Sequence, residues 1–428
     1  MRRLAFLFTA LAIGCAHAPQ DAMPPVHAST AAHARVISSV QHVVIIEMEN
    51  RSFDHYFGTF PGVNGLPSPL PCNPDPAQNN KCISSFHDTA RRNYGGPHGF
   101  SAFGTDLDGG KMDGFIKSAE HSDSKFPDPD PDEVMGYHDC TDIPVYCFYA
   151  QHGVLADNAF AATISWSTMA HLFLVSGWSA TCAVKGDPMS CVSNNKVNVR
   201  TKPPPDYAWT EITWLLHAGG VSWGYYVYDS SKQLMVWNGD GEVPDSGTYQ
   251  RQGMWNPLPG FDDVALDGET ANIQPGTSFD AAAVSGTIPN VAWVVPTFNS
   301  SDHPPANISP GQKFVQTLIN EIEAGPDGPS TLIILNWDEW GGFYDHVVPP
   351  MIDGMGYGFR VPLILYGPMV KAGTIDHQLL SSDAYLKFIE DQFLGGARLD
   401  ADDGRPDSRP MVRETTPGLG DLANDLNG

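Results

Sequence analysis

The stretch from Val40 to Gly58, VQHVVIIEMENRSFDHYFG, constrains the fold more than any other part of the chain. Val40 to Ile46 is β-branched and apolar except at two positions, which is typical of a strand buried on both faces at the centre of a parallel sheet. Glu49 and Asn50 follow, and open α/β sheets place ligands beyond the carboxyl ends of their strands. Ser52 is positioned to cap a following helix. The stretch predicts either an ordinary capped turn or a site for a metal ion and an anion.

Composition limits the classes of function. The chain has 428 residues with 24 basic and 49 acidic side chains, which gives a net charge of -25. Binding of nucleic acid depends on Lys and Arg that replace counterions, so this charge argues against nucleic acid and disfavours an anionic membrane surface. The 42 Gly and 36 Pro residues predict many loops on a scaffold rather than a helical bundle or repeats.

The first residues have the pattern of an export signal. Two arginines precede an apolar run from Leu4 to Gly14, which is too short and too isolated for a membrane span. The run ends LAIGC at Cys15, which resembles a bacterial lipoprotein cleavage box although Ala12 replaces the more usual Leu. Cleavage after Ala18 is the alternative. We therefore expect an exported protein that is periplasmic, secreted or held in the cell envelope by a lipid on Cys15.

Six cysteines remain when Cys15 is set aside, and they fall into three close sequential pairs. Six cysteines allow fifteen pairings, so the sequence leaves the connectivity open. In an oxidising compartment we expect the nearest neighbours to pair, as Cys72–Cys82, Cys140–Cys147 and Cys182–Cys191.

Strand-like and helical segments alternate through residues 39–396, which predicts a single α/β domain with a largely parallel sheet and helices on both faces. Residues 1–15 are the predicted export signal, 16–38 a tether, and 397–428 an acidic tail rich in Gly and Pro. Polar residues recur where the predicted strands end. The predicted sheet gathers the following side chains along one rim: Glu49, Asn50, Ser167, His303, Asp338, Glu339 and His346.

Several loop residues are candidates for chemistry. GGPHGF presents His98 and GGKMDGF presents Lys111, among glycines that permit close approach of a ligand. Both residues could equally be ordinary loop polarity. Ser165, Ser167 and Thr168 lie in the turn before a predicted helix, where a hydroxyl is either a helix cap or a nucleophile.

Ser222 lies in GVSWG, which fits the G-x-S-x-G pattern of serine hydrolases. A nucleophile elbow runs from strand to serine to helix. Here a predicted helix precedes the serine and a predicted strand follows it, so the context argues against Ser222.

Acidic residues follow a second apolar strand. Asp338 and Glu339 come directly after Thr331 to Leu335. Two carboxylates about 4 Å apart repel by roughly 4 kcal/mol at an effective dielectric near 20. One of them would tend to protonate unless a cation is bound, and Glu49 on the first strand strengthens the case for a divalent ion.

Five motifs together resemble the bacterial phosphoesterase family of phosphatidylcholine-preferring phospholipases C and AcpA-like acid phosphatases. They are ENRSFDHYFG, GGKMDGF, SDHPP followed by ISPGQKFV, DEWGGFYDHVVPP and YGFRVPLILYGP. The resemblance runs from about Val40 to about Leu422. It implies an alkaline-phosphatase-like α/β/α sandwich with long loop insertions and its site at the carboxyl edge of the sheet.

The resemblance also implies roles for residues. Glu49 and Asn50 match metal or phosphate ligands, and Asp338 and Glu339 match the acidic pair that completes the metal site. Three histidines match catalytic positions, and these are His98, His303 and His346. As a separate hypothesis from the chemistry, Lys111 and Asn50 are expected to contact the phosphoryl oxygens of the substrate.

Ser167 takes the place of the family's nucleophile. That nucleophile is a Ser or Thr two residues before Pro-Asn, whereas Met169 and Ala170 stand at those positions here. This departure leaves Ser165 and Thr168 as alternatives.

The expected function is hydrolysis of a phosphoester by a serine nucleophile near a divalent ion, which could be Ca²⁺, Mg²⁺, Mn²⁺ or Zn²⁺. The substrate would be a phospholipid headgroup, zwitterionic rather than anionic, or a phosphate monoester. Contact with a membrane is expected only through an amino-terminal lipid anchor, although Trp337, Trp340 and Phe343 could face a lipid if they are not core. The alternative is a surface-anchored protein that binds phosphate or phospholipid without catalysis.

Overall fold

A computed structural model describes residues 35–121, 130–228 and 249–427 of the protein. The predicted export signal, including Cys15, and most of the predicted tether lie outside the described residues. None of the helices in these three segments has the length and apolar character needed to cross a lipid bilayer.

Short strands and helices alternate along the described chain. The strands are β1 His42–Met48, β2 Cys72–Asp75, β3 Lys81–Ser84, β4 Phe86–His87, β5 Gly136–Tyr137, β6 Val154–Ala156, β7 Ala180–Cys182, β8 Cys191–Ser193, β9 Trp223–Val227, β10 Ile273–Pro275, β11 Val291–Val295, β12 Thr331–Trp337, β13 Leu363–Tyr366 and β14 Thr374–Asp376. The helices are α1 Phe53–Phe57, α2 Phe100–Leu107, α3 Phe115–Glu120, α4 Pro144–His152, α5 Ser167–Ser176, α6 Ile212–Ala218, α7 Asp262–Leu266, α8 Gly276–Ser285, α9 Ile308–Ala324 and α10 Ser382–Phe393.

Eight of these strands form one sheet in the order β10-β9-β11-β1-β12-β13-β6-β14. The first strand, β1, lies near the centre and pairs in parallel with β11 and β12. Every neighbouring pair is parallel except the two made by β13, which runs antiparallel to β12 and β6. The prediction of a largely parallel sheet is confirmed, with one reversed strand that the sequence did not indicate.

Helices cover both faces of this sheet. Val43 and Ile45 of β1 pack into a core that includes α5, α6 and α10. Val44 and Ile46 point to the opposite face, into a core that includes α1, α4, α8 and α9. All four side chains are fully buried, as expected for β-branched residues in a strand covered on both sides. The molecule is an α/β/α sandwich, which confirms the predicted fold class.

Three disulfides join the cysteines in sequential pairs. Cys72–Cys82 links β2 to β3, Cys140–Cys147 links the segment before α4 to α4 itself, and Cys182–Cys191 links β7 to β8. The predicted pairing is therefore confirmed.

The carboxyl-terminal segment that was predicted to be a tail packs against the domain. Leu399, Leu422 and Leu426 are buried in the same core as α5 and α10. Arg413 is buried and makes a 2.7 Å ion pair with Asp353. A few apolar and basic anchors thus hold a segment whose average composition is acidic and rich in turn-forming residues.

The three aromatic residues that could have faced a lipid belong to the interior. Trp337, Trp340 and Phe343 are all fully buried. The indole of Trp340 donates a 3.1 Å hydrogen bond to Asp106 and packs in a smaller core beneath α2 and α3. These side chains support the loops around the sheet edge and offer no surface to a membrane.

Glu211 is a buried carboxyl group whose protonation links stability to pH. It caps α6 by accepting a hydrogen bond from the Thr213 backbone N–H, and burial, with help from nearby Asp263, raises the pKa of Glu211 from 4.5 to about 8. The folded state therefore holds a proton that the unfolded chain releases, so the free energy of unfolding falls as pH rises between these values. The variant Glu211→Gln keeps an acceptor but cannot ionise.

We expect the free energy of unfolding of Glu211→Gln, relative to wild type, to increase by about 2 kcal/mol from about pH 5.5 to about pH 7.5. Urea unfolding at the two pH values measures this difference. A difference that does not change with pH would contradict the prediction.

Candidate active site

Two carboxylates and an amide lie where β1 and β12 end. Glu49 and Asn50 follow Met48, and Asp338 follows the last residue of the neighbouring strand. The backbone N–H of Asp338 donates to the Met48 carbonyl at 3.0 Å, and the Asp338 carboxylate accepts from the Asn50 backbone N–H at 2.9 Å. Parallel pairing thus brings both acidic residues to one edge of the sheet.

Asn50 turns the chain at this edge and connects it to the next carboxylate. Its φ of 59° is left-handed, a conformation that Asn adopts more readily than most residues. Its side-chain amide donates to Glu339 and lies 3.3 Å from Nε2 of His98. Glu339 also accepts from the Gly341 backbone N–H at 2.8 Å. Glu339 therefore orients Asn50, whereas Asp338 lies beside Glu49.

Glycines allow three loops to meet here. A Cβ on Gly341 would lie 2.5 Å from the Asn50 carbonyl oxygen, and a Cβ on Gly342 would lie 2.3 Å from Cα of Gly96. Both glycines also have positive φ. Any larger side chain would push the loop of Glu339 away from the loops that carry Asn50 and His98.

Ser167 and His171 both contact Glu49 from helix α5. The Ser167 hydroxyl donates to one carboxylate oxygen of Glu49 at 3.0 Å. Nε2 of His171 lies 2.9 Å from the other oxygen. Residues four apart share one face of a helix, so α5 presents the hydroxyl and the imidazole to the same carboxylate.

Helix α5 is a rigid support for these two side chains. It begins at Ser167, after Trp166 in an extended conformation, and ends at Gly177 with a left-handed φ of 60°. All ten helical residues are buried, including Met169 and Ala170. The positive end of the helix dipole lies at Ser167, where it would favour a developing negative charge.

Burial controls the protonation of this cluster. It raises the pKa of Glu49 well above 4.5, and the adjacent Asp338 carboxylate raises it further. Burial also raises the pKa of Asp338, whereas the nearby Ser167 hydroxyl and the hydrogen bond from the Asn50 backbone N–H lower it. Burial lowers the pKa of His171 to about 3. Ionised carboxylates here therefore need a cation, because a buried carboxyl group without one keeps its proton.

The cluster fits a divalent metal ion. Glu49, His171 and Asp338 offer ligand atoms that all lie within 4.8 Å of one another. Oδ2 of Asp338 and Oδ1 of Asn50 are buried without a hydrogen-bond partner among the described residues. Buried acceptors of this kind are costly unless another group satisfies them. Oxygen ligands suit Ca²⁺, Mg²⁺ or Mn²⁺, and the added imidazole also suits Zn²⁺.

Two of the predicted histidines lie at this edge. The His303 and His98 rings are 6.2 Å apart between centroids. The positive charge of His303 lowers the pKa of Asp338. The backbone N–H of Glu49 donates to Ser301 at 2.8 Å, which holds the loop carrying His303 against the end of β1. The structure therefore brings His98 and His303 together with the carboxylates.

His346 belongs to a different network. Its Nδ1 lies 2.6 Å from Asp54, which also pairs with Arg360 at 2.9 Å. Arg360 makes a second 2.9 Å ion pair with Asp345. Asp54, Asp345 and His346 have metal-like spacing, but Arg360 already forms an ion pair with each of the two carboxylates. Although burial alone would lower the pKa of His346, its hydrogen bond to Asp54 raises it.

Lys111 lies on an exposed loop, with 68% of its side chain accessible to solvent. Its ammonium pairs with Asp108 at 2.5 Å. The contacts of Lys111 therefore lie within its own loop, and its role in binding substrate stays a prediction.

The other candidate hydroxyls have different surroundings. Ser165 donates to the Asn195 carbonyl at 2.7 Å, and Thr168 is almost fully buried. Ser222 lies between α6 and β9 and donates to the Asn290 side chain at 2.8 Å. The order of helix, serine and strand that argued against Ser222 is present.

Sequence reasoning missed His171. Its spacing of four residues from Ser167, on a helix that was itself predicted, was the available signal. The surrounding residues are apolar, so a buried core histidine was the ordinary expectation.

Comparison with known proteins places the chain in a family. A model described as the Phosphoesterase family matches residues 40–394. The chain belongs to this family. It is a phosphoric ester hydrolase of the α/β class, as the sequence motifs indicated.

Curated relatives share about a quarter of the sequence. Phospholipase C B of Mycobacterium tuberculosis is 26% identical over 408 residues, which cover 83% of this chain and 74% of the relative. Hemolytic phospholipase C of Pseudomonas aeruginosa is 28% identical over 401 residues, which cover 83% of this chain and 53% of the relative. The chain thus spans about three quarters of the first protein and about half of the second.

A solved structure of a protein in the alkaline phosphatase superfamily from Vibrio parahaemolyticus is 13% identical, with a TM-score of 0.35 over 64% of this chain and 65% of that one. This similarity is too low to support any statement about the site.

Metal binding at the cluster of Glu49, His171 and Asp338 predicts a thermal shift. After treatment with a chelator, addition of Mn²⁺ at about 100 times its dissociation constant should raise the Tm by about 3 °C. Glu49→Gln and Asp338→Asn should remove this increase, because each deletes a charged ligand. Differential scanning calorimetry provides the measurement.

Asp142→Asn is the control variant. Asp142 belongs to a partly exposed group with His87 and Asp139 that has similar spacing. The Mn²⁺ increase should persist in this variant. If Asp142→Asn loses this increase while Glu49→Gln keeps it, the ion binds at the partly exposed group instead.

Proposed function

We propose that the protein hydrolyses phosphoesters with Ser167 as its nucleophile. One observation carries the proposal: the Ser167 hydroxyl lies 3.0 Å from Glu49 within the buried cluster that also contains His171 and Asp338. A serine at a helix start, held by a carboxylate at the edge of a parallel sheet, has the arrangement of an activated nucleophile.

The reaction would proceed in two steps. Oγ of Ser167 attacks phosphorus, its proton leaves along the hydrogen bond to Glu49, and the bond from phosphorus to the alcohol oxygen breaks. The alcohol takes a proton from His303. Water then attacks phosphorus and gives a proton to His303, the bond from phosphorus to Oγ of Ser167 breaks, the phosphate product leaves, and Oγ takes its proton back from Glu49. A bound divalent ion would supply Lewis-acid catalysis by lowering the hydroxyl pKa and neutralising phosphoryl oxygens.

His303 is a better candidate than His346 for the proton donor. His303 lies beside His98, and its positive charge lowers the pKa of Asp338. His346 instead hydrogen bonds to Asp54 beside Arg360. Asn50 and His98 would hold phosphoryl oxygens, together with the amino-terminal N–H groups of α5.

Two substrate types are consistent with this site. Relatives named phospholipase C favour phospholipid headgroups, and hydrolysis of phosphate monoesters is the second type. The three disulfides favour an oxidising compartment, which agrees with the predicted export signal, followed either by a lipid on Cys15 or by cleavage after Ala18.

Replacement of the nucleophile is the direct test. Ser167→Ala should reduce kcat for nitrophenyl phosphate or nitrophenyl phosphorylcholine by at least about 1,000-fold, because no oxygen remains to attack phosphorus. Ser222→Ala serves as the matched control, since it removes an equivalent hydroxyl elsewhere and should retain turnover. Equal rates for Ser167→Ala and wild type would remove Ser167 from the mechanism. No turnover by the metal-replete wild type would favour a binding protein.

Replacement of His303 tests the proton donor. His303→Asn should slow hydrolysis of an alkyl phosphoester by about 100-fold. It should slow a nitrophenyl ester much less, because nitrophenolate leaves without a proton. Steady-state rates for both esters give the comparison, and an equal loss for the two would contradict general-acid catalysis by this residue.

A further inference from the structure

A cleft opens beside the proposed nucleophile. It has a volume of about 340 Å³ and is lined in part by Trp166 and Thr168, the two residues that flank Ser167. Lys196, Arg200 and Met254 form other parts of its wall. A molecule in this cleft would therefore lie next to the first turn of α5.

The lining is cationic, although the protein is acidic. The chain carries a net charge of -25, yet the residues that line the cleft include two cations and, in the part of the chain described, no carboxylate. The Lys196 ammonium lies 5.2 Å from the centre of the Phe100 ring. The Arg200 guanidinium donates to the sulfur of Met254 at 3.7 Å. Neither forms an ion pair with a carboxylate among the described residues.

The loop that carries these cations is held in place next to α5. The Asn195 carbonyl accepts the Ser165 hydroxyl at 2.7 Å. The Asn194 backbone N–H donates to the Ser179 carbonyl at 3.0 Å. The disulfide Cys182–Cys191 closes the hairpin before this loop. The neighbour of Lys196, Asn195, therefore holds this loop against Ser165, in the segment that leads into Ser167.

Phe100 connects the same cation to another part of the site. Phe100 begins α2, two residues after His98, and a Cβ on the intervening Gly99 would lie 3.1 Å from the Trp166 ring. The cationic cleft and the loop of His98 therefore share a wall. Ser167 itself does not line the cleft, and its hydroxyl faces Glu49. The inference therefore requires the ester substituent to leave the phosphoryl group on the side of Trp166 and Thr168.

We propose that the cleft selects phosphoesters with a second anionic group, a carboxylate or a phosphate, joined to the scissile phosphoryl group by a short linker. This inference rests on the proposed function. Lys196 and Arg200 would attract that group, and they would disfavour a trimethylammonium group such as that of choline. The shared chemistry is the anion, which a soluble ester or an acidic lipid headgroup could supply.

Three nitrophenyl phosphodiesters test the charge preference, since all release the same chromophore. Their second alcohols are 3-hydroxypropanoate, propanol and choline, which are anionic, neutral and cationic. For wild type at low salt, kcat/KM should be roughly tenfold higher for the carboxylate ester than for the choline ester. The ratio should fall as ionic strength rises.

The double variant Lys196→Gln/Arg200→Gln should reduce this ratio to about one, because it removes both cations. Lys185→Gln is the matched control. Lys185 lies on the preceding hairpin, is 84% exposed, and pairs with Asp206 rather than lining the cleft. The ratio should not change in this control.

A lipid arm distinguishes the source of the anion. Short-chain phosphatidylserine and phosphatidylethanolamine differ only by a carboxylate. Faster hydrolysis of phosphatidylserine, lost in the double variant, would assign the cleft to a lipid headgroup. A preference seen only with the nitrophenyl esters would assign it to soluble substrates.

The outcomes separate the two proposals. No hydrolysis of any ester would overturn the proposed function itself. Hydrolysis with equal or greater kcat/KM for the choline ester, or a charge preference that survives in the double variant, would overturn only the inference about the cleft. Turnover of nitrophenyl phosphate without any of the three diesters would overturn the inference in the same way.

Discussion

The arrangement of the site depends on a carboxylate that has no contact with solvent. Glu49 lies at the end of the central strand, and its two oxygens face Ser167 and His171 of α5. Asp338 of the neighbouring strand adds a second buried carboxyl group. Removal of such charges from water costs several kcal/mol for each ion. The two carboxyl groups must therefore keep their protons or bind a cation. The same constraint that would destabilise an ordinary core makes this position suitable for metal-assisted chemistry.

Much of this geometry could be predicted because it follows from local rules. A β-branched run predicted β1, and its length placed Glu49 beyond the strand end. Ser52 accepts a hydrogen bond from the backbone of the following helix, as its residue type indicated. The meeting of β1 and β12 required a further rule, that parallel strands end at one edge, together with the motif around Asp338. Family resemblance then indicated Ser167, whose contact with Glu49 spans more than a hundred residues of sequence.

Other features depend on tertiary contacts that local sequence does not specify. Nothing in the apolar residues of β13 indicates that it runs antiparallel to its neighbours. The segment after α10 has the composition of a tail, yet a few buried leucines and Arg413 anchor it. His171 looked like a core histidine, because only the folded chain shows that Glu49 faces it. The direction of β13, the packing of the terminal segment and the contact of His171 with Glu49 all depend on residues that are distant in sequence. Local secondary-structure propensity does not specify them.

Total charge and local charge act over different distances, which is why the composition is a poor guide to the substrate. At physiological ionic strength, exposed charges are screened beyond about 8 Å. The carboxylates that give the chain its net charge of -25 therefore influence encounter and solubility more than a bound ester. Lys196 and Arg200 line the cleft itself and act at contact distance. An acidic protein can thus present a cationic site, and our proposal limits the preference for a zwitterionic lipid that total charge suggested to groups bound outside the cleft.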